Sequence, residues 1–194
     1  MGKVKYKTPE IIASFLGVFI YVFVEWLEKS GISNGFISGD IYNWVQFRVV
    51  IVTLVATMYG PIAGIVCGVG GSMLINALFE YSISYPEVIV VGIFGLAVGI
   101  FFDKFKVLDG KFGRQEFLDF CAVNVAFAIF SGIMVLPLVM YLIENKAMAD
   151  TIVIGCKSVT GNSVLSCIIC GIVMAVVSII IKNRRDVKTA DEYI

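Results

Sequence analysis

Few residues in this chain have the chemistry to hold a ligand, and they stand out against apolar surroundings. Arg48, Asn76, Asn124, Lys157 and Asn162 all lie inside long apolar runs. A polar side chain in such a run is costly, so each one prompts a functional hypothesis. Arg48 is about two turns into the second run, Asn76 is near the end of the third, and Lys157 and Asn162 are in the first half of the sixth. Threaded across a bilayer, these four gather at similar depth toward the outer side, with Trp44, Tyr81, Tyr85 and Tyr141 in the same layer. One reading is a binding pocket with aromatic walls, in which Arg48 and Lys157 suit a carboxylate, a phosphate or carbonyl oxygens. The other has the cations snorkelling to headgroups and the aromatics forming an interfacial belt. Each aromatic alone suits the belt, whereas Lys157 and Asn162, close together beside Gly155 and Gly161, suit the pocket.

Catalytic groups are missing. Histidine is absent, and with it the commonest metal ligand and acid–base catalyst. No H-E-x-x-H, G-x-S-x-G or pair of intramembrane aspartates occurs. IGCKSVTG has the flavour of a phosphate-binding loop, but Lys157 follows Cys156 rather than glycine and the upstream glycine is lacking. Cys167 and Cys170 form a C-x-x-C without the two further ligands zinc needs, so the five cysteines read as packing residues. No enzyme activity, metal or cofactor is expected. Any active transport must draw its energy from a partner or an ion gradient. Intramembrane acids for ion coupling are scarce, Glu25 near the end of the first span being one.

The elements that position these residues are membrane helices. The chain has 194 residues, 59% hydrophobic and 15% charged, with a mean hydropathy of +0.93. Apolar runs near the length that crosses a bilayer core (about 20 residues) recur throughout. The expectation is one all-α integral membrane domain over 1–194, a six-helix bundle with spans at about 9–27, 41–58, 61–79, 86–102, 117–141 and 152–181. Pro61 and Pro86 suit first-turn positions, and Pro137 predicts a kink or an early end of span five. Net charge is zero, which gives no footprint for a nucleic-acid partner. The basic start followed by 11–27 is too long, and lacks the small-x-small site, for a cleaved signal peptide, so it reads as a retained first span.

Orientation follows from the basic residues. Lys3, Lys5 and Lys7, then Lys104, Lys106, Lys111 and Arg114, then Lys182, Arg184, Arg185 and Lys188 make eleven of the fifteen. They share one side only if the chain crosses six times with both termini in the cytoplasm. Glu28, Asp40, Glu80, Glu87, Glu144 and Asp150 fall on the other side. The longest outer connection, EKSGISNGFISGD, reads equally as a flap over a pocket or as a plain solvated linker.

Span three contains YGPIAGIVCGVGGSMLINALF, in which Gly60, Gly64 and Gly68 recur every four residues with Gly71 one turn on. A bare helix face lets another backbone approach closely in lipid, so these glycines read as helix-packing positions. Ala13 and Gly17 form a similar pair on span one, which suits either internal packing or an external membrane helix.

The segment RVVIVTLVATMYGPIAGIVCGVGGSMLINALF, with its aromatic-Gly-Pro turn and G-x-x-x-G, resembles the S component of energy-coupling factor (ECF) transporters. VVGIFGLAVGIFFDKFKVLDGKFG is similar to a branch of that family whose substrates are poorly assigned. The resemblance implies a substrate-binding subunit for a vitamin or related micronutrient in the bacterial cytoplasmic membrane. Its implied partners are a transmembrane scaffold subunit and two ABC ATPases, with delivery by toppling of the S component in the membrane. It further implies that Ala13 and Gly17 meet the scaffold, that the loop at 31–43 closes over substrate, and that contacts lie near Tyr141, Lys157 and Asn162. Relatives often carry histidine after the position of Gly71 and an acid four residues later, where this chain has Ser72 and Asn76. The rival reading is a small structural scaffold of the bacterial cell-elongation and wall-synthesis machinery, with no small-molecule ligand.

Overall fold

In the computed structural model, residues 8–29, 46–80 and 84–191 are described. Helix α1 (Thr8–Lys29) is followed by α2 (Phe47–Tyr59), α3 (Pro61–Ile75), α4 (Tyr85–Gly99) and the short α5 (Phe102–Phe105). Then come α6 (Arg114–Ile129), α7 (Leu136–Glu144) and α8 (Met148–Asp191). The described residues are thus all-α. Among the described residues four helices are long and apolar enough to cross a membrane, and a fifth span is made if α4 and the segment after it, bent by 49°, count as one. This is a multi-pass membrane protein. Helix α2 begins at Phe47, has 13 residues and would reach only about 20 Å; the expected start of that span at Ile41 lies outside the described residues.

The surface is apolar where a soluble protein would be polar. Phe15, Phe19, Phe23, Leu142 and Ile172 are all more than half exposed, as lipid permits. Polar groups turn inward instead. Thr53 and Thr57 donate to the carbonyls of Val49 and Thr53 one turn back, which satisfies buried hydroxyls without leaving the helix.

Helices α3 and α4 form the most extensive seam among the described residues. A β-carbon at Gly64 would collide with the carbonyl of Gly95, and one at Gly99 would run into the Pro61 backbone. Gly68 sits against the Val91 backbone, while Gly71 turns to a different neighbour, the Tyr21 ring of α1. Gly60 joins α2 to α3 at φ +95°, a conformation that side-chain-bearing residues rarely adopt. Pro61 follows at the first turn, where its missing N–H does no harm. A second close seam brings Gly132 against Gly155 of α8.

Pro137 neither stops nor isolates its helix: 114–144 runs on as one span. The turns just before it, Phe130–Val135, widen into a π segment. That wider turn absorbs the proline ring and the lost hydrogen bond that a regular helix could not accommodate. Span six likewise exceeds expectation at both ends, with α8 covering 44 residues.

At one end of the bundle the connection between α5 and α6 is tied to α8. Arg185 donates to the carbonyls of Leu108 and Asp109 at 3.1 and 2.9 Å, and the Phe112 N–H donates to Ser178 Oγ. The basic segments around 104–114 and 182–185 therefore meet at the same end.

Candidate functional site

The opposite end is built from the first turns of α2, α4 and α8 and the last turns of α7. Gln46 caps α2 with no side-chain cap of its own. Its N–H is taken by Asn162 Oδ1 of α8 at 2.7 Å, and Asn162 Nδ2 donates to Ser158 Oγ at 2.9 Å. An amide on α8 thus fixes where α2 begins, and so where Arg48 points.

Arg48 reaches two carboxylates. Its Nη1 lies 3.4 Å from Glu25 Oε1 of α1 and also contacts Glu87 Oε1, in the first turn of α4. The Arg48 and Glu25 side chains are each 9% exposed and that of Glu87 is 25% exposed. In a low-dielectric setting such charge-assisted pairs are strong, and removing one member leaves a costly buried charge. One turn before Glu25, Tyr21 shares a 2.8 Å hydrogen bond with Ser72 of α3. Four helices are thereby linked by polar contacts at one depth.

Beside this cluster is a cavity of about 430 Å³. Gln46, Arg48, Ser84, Glu87, Lys157 and Ser158 supply its polar lining, and Val90, Val91, Leu136, Met140 and Ile154 its apolar lining. A smaller apolar pocket of about 80 Å³ shares five of these residues and continues toward Phe94, Ala128 and Val159, with Asn162 at its border. Apolar side chains interleaved with placed polar groups, at this volume, fall in the size range of small-molecule cavities. The arrangement binds and orients; among the described residues no nucleophile stands beside a base.

Of the residues singled out in the sequence, Arg48 and Lys157 line the main cavity and Asn162 the inner pocket. Asn76 is fully buried at the start of a π segment, and neither pocket includes it. Tyr85 and Tyr141 are 56% and 50% exposed and line neither pocket. Trp44, Tyr81 and the loop at 31–43 lie outside the described residues. Arg48 is not an open cation waiting for an anion, since two carboxylates already hold it. The sequence reading named Glu25 as an intramembrane acid and Glu87 as an outer-side one, but missed that both meet Arg48. The available signal was a buried arginine with acids at the ends of two neighbouring spans.

Ala13 and Gly17 border an open apolar groove between α1 and α2, with Ile12, Leu16, Val55 and Tyr59. Gly17 also has an internal reason to be glycine, because a β-carbon there would meet Val55 and Cys67.

Helices of this kind define a polytopic membrane protein with a cavity at one end. Residues 37–182 match the family described as ECF-type riboflavin transporter, S component, and the chain belongs to that family. It is also similar to the UPF0397 protein of Streptococcus pneumoniae strain Hungary19A-6, 26% identical over 124 residues, 63% of this chain and 64% of that protein. The UPF0397 proteins of strains Taiwan19F-14 and R6 are 25% identical over the same lengths. The chain thus spans about 64% of the length of the curated relatives it matches. No solved structure matches the chain.

Proposed function

We propose that this protein is the substrate-binding subunit of an ECF-type importer, which captures a vitamin-like compound from outside and hands it on through a transmembrane scaffold and two ATPases. The observation that carries the reading is the 430 Å³ amphipathic cavity in a chain of this family. S components generally act with such partners and catalyse nothing themselves. The rival wall-synthesis scaffold draws no support from the family match. On this reading the whole chain, 1–194, is one domain of six spans in the bacterial cytoplasmic membrane. Both termini are cytoplasmic, and the cavity opens outward. The meeting of the two basic segments at the end away from the cavity supports that orientation.

Arg48, Lys157 and Asn162 are the proposed substrate-side groups, with Gln46, Glu87 and Ser158. Trp44, Asn76, Tyr81, Tyr85 and Tyr141 complete the outer layer expected from sequence, and Ala13 and Gly17 are proposed to meet the scaffold. The family description makes riboflavin the first compound to try. The test is mass spectrometry of small molecules released from protein purified out of cells grown in rich medium. One compound near one per protein is the expected result. A protein that comes empty and fails to bind riboflavin in titration contradicts the flavin assignment.

A further inference from the structure

Just below the inner pocket, the bundle holds polar groups that the protein itself leaves unused. Hydroxyls elsewhere are satisfied inside their own helices: Ser14, Thr53, Thr57, Thr151 and Thr160 each donate to a carbonyl one turn back. Ser163 and Ser166 of α8 are buried, yet neither hydroxyl has a partner. Asn124 of α6 is fully buried against Ser163, and its Oδ1 has no partner either. Its Nδ2 reaches only the Ser163 carbonyl and Cys167 Sγ, both at 3.5 Å, where an ordinary N–H···O bond measures about 2.9 Å. A buried polar group without a partner costs free energy, so three in one place call for an explanation.

Their position supplies one. Ala128, Val159 and Asn162 line the inner pocket. Asn124 lies one turn before Ala128 on α6, and Ser163 and Ser166 lie one turn after Val159 and Asn162 on α8. Each therefore continues a pocket-lining face one turn deeper. We propose that Asn124, Ser163 and Ser166 form the floor of the ligand site, a polar subsite for a neutral edge with a donor beside an acceptor, such as an imide or amide. Asn124 Oδ1 accepts from the ligand N–H, and the serine hydroxyls donate to its carbonyl. None of the three side chains is charged, so they offer an ionised group no counter-charge. The inference rests on the cavity being the ligand site proposed above.

Riboflavin carries such an imide edge, and its N3-methyl analogue has lost the donor. Both are titrated by flavin fluorescence into the full-length wild type, Asn124→Ala, and a double variant with Ser163→Ala and Ser166→Ala. The wild type is expected to bind riboflavin about tenfold more tightly than the methylated analogue, and Asn124→Ala to lose most of that preference. The serine variant should bind riboflavin about tenfold more weakly, while its ligand-free melting temperature stays level or rises, since no internal bond is lost. A wild type that binds both flavins equally overturns the proposal and leaves the cavity reading standing. A serine variant with unchanged riboflavin affinity also overturns it, as does one whose ligand-free melting temperature falls, because those hydroxyls then serve the fold. Should Asn124→Ala not yield folded protein, the serine variant carries the test.

If the wild type binds neither flavin, the flavin assignment fails and the subsite is judged on uracil, which presents the same imide edge alone. Millimolar uracil should then raise the melting temperature of the wild type but not of Asn124→Ala or the serine variant. Equal shifts, or none in the wild type, overturn the proposal.

Discussion

Helix α4 takes part in two regions built on opposite principles. Toward one end, Gly95 and Gly99 press backbone to backbone against Gly64 and Pro61 of α3. Toward the other end, Glu87, Val90 and Val91 border open space shared with α2, α7 and α8. Lipid supplies no hydrophobic drive for helices to associate, so the seam relies on close van der Waals contact and on the absence of side chains. The cavity requires the reverse, with bulky or charged groups such as Arg48, Leu136 and Met140 holding helices apart. The seam closes one end of α4 against α3, while the other end borders open space.

The sharpest way to break this contrast is Gly64→Leu. The side chain has no space beside the Gly95 carbonyl, so the expected cost exceeds about 3 kcal/mol. Loss of the monodisperse peak in size-exclusion chromatography would register it, whereas unchanged melting would show that the seam is not tight. Arg48→Gln comes next. It takes from Glu25 and Glu87 the guanidinium that both contact, for a loss of about 3 kcal/mol in the melting of the ligand-free protein together with loss of ligand binding.

Lys157→Ala separates the two regions cleanly. It removes a charge from the cavity and nothing from the seam, so ligand affinity in a binding titration should fall about tenfold. Tyr21→Phe deletes the hydrogen bond to Ser72, with an expected loss of about 1 kcal/mol in melting and no change in affinity. Smallest of all, Tyr141→Leu, at a half-exposed member of the proposed outer layer, should leave melting unchanged and weaken ligand binding less than Lys157→Ala does.

Much of the seam was legible in the sequence because its signal is local. Glycines at four-residue spacing in an apolar run mark a face for close packing, although which helix each glycine meets was not. Gly64 and Gly68 face α4, whereas Gly71 faces Tyr21 of α1. The cavity was only half legible. Arg48 and Lys157 announce themselves as charges in apolar runs, but the acids that define Arg48 sit near span ends and resemble ordinary solvated residues there. Pro137 shows the same limit. Its missing N–H is plain from the sequence, while the π segment that absorbs it depends on how the neighbouring turns pack.

By itself the sequence determined that this chain lives in a membrane and that its interior is helical. Those properties follow from composition and from periodicities within single segments. Tertiary structure alone decided that Arg48 is held by Glu25, 23 residues before it, and by Glu87 from a third helix, and that Asn162 sets the start of α2. The reason is geometric. A helix fixes the direction of a side chain about its own axis, but which charges meet depends on the rotation and depth of several helices relative to one another, and only their packing sets those.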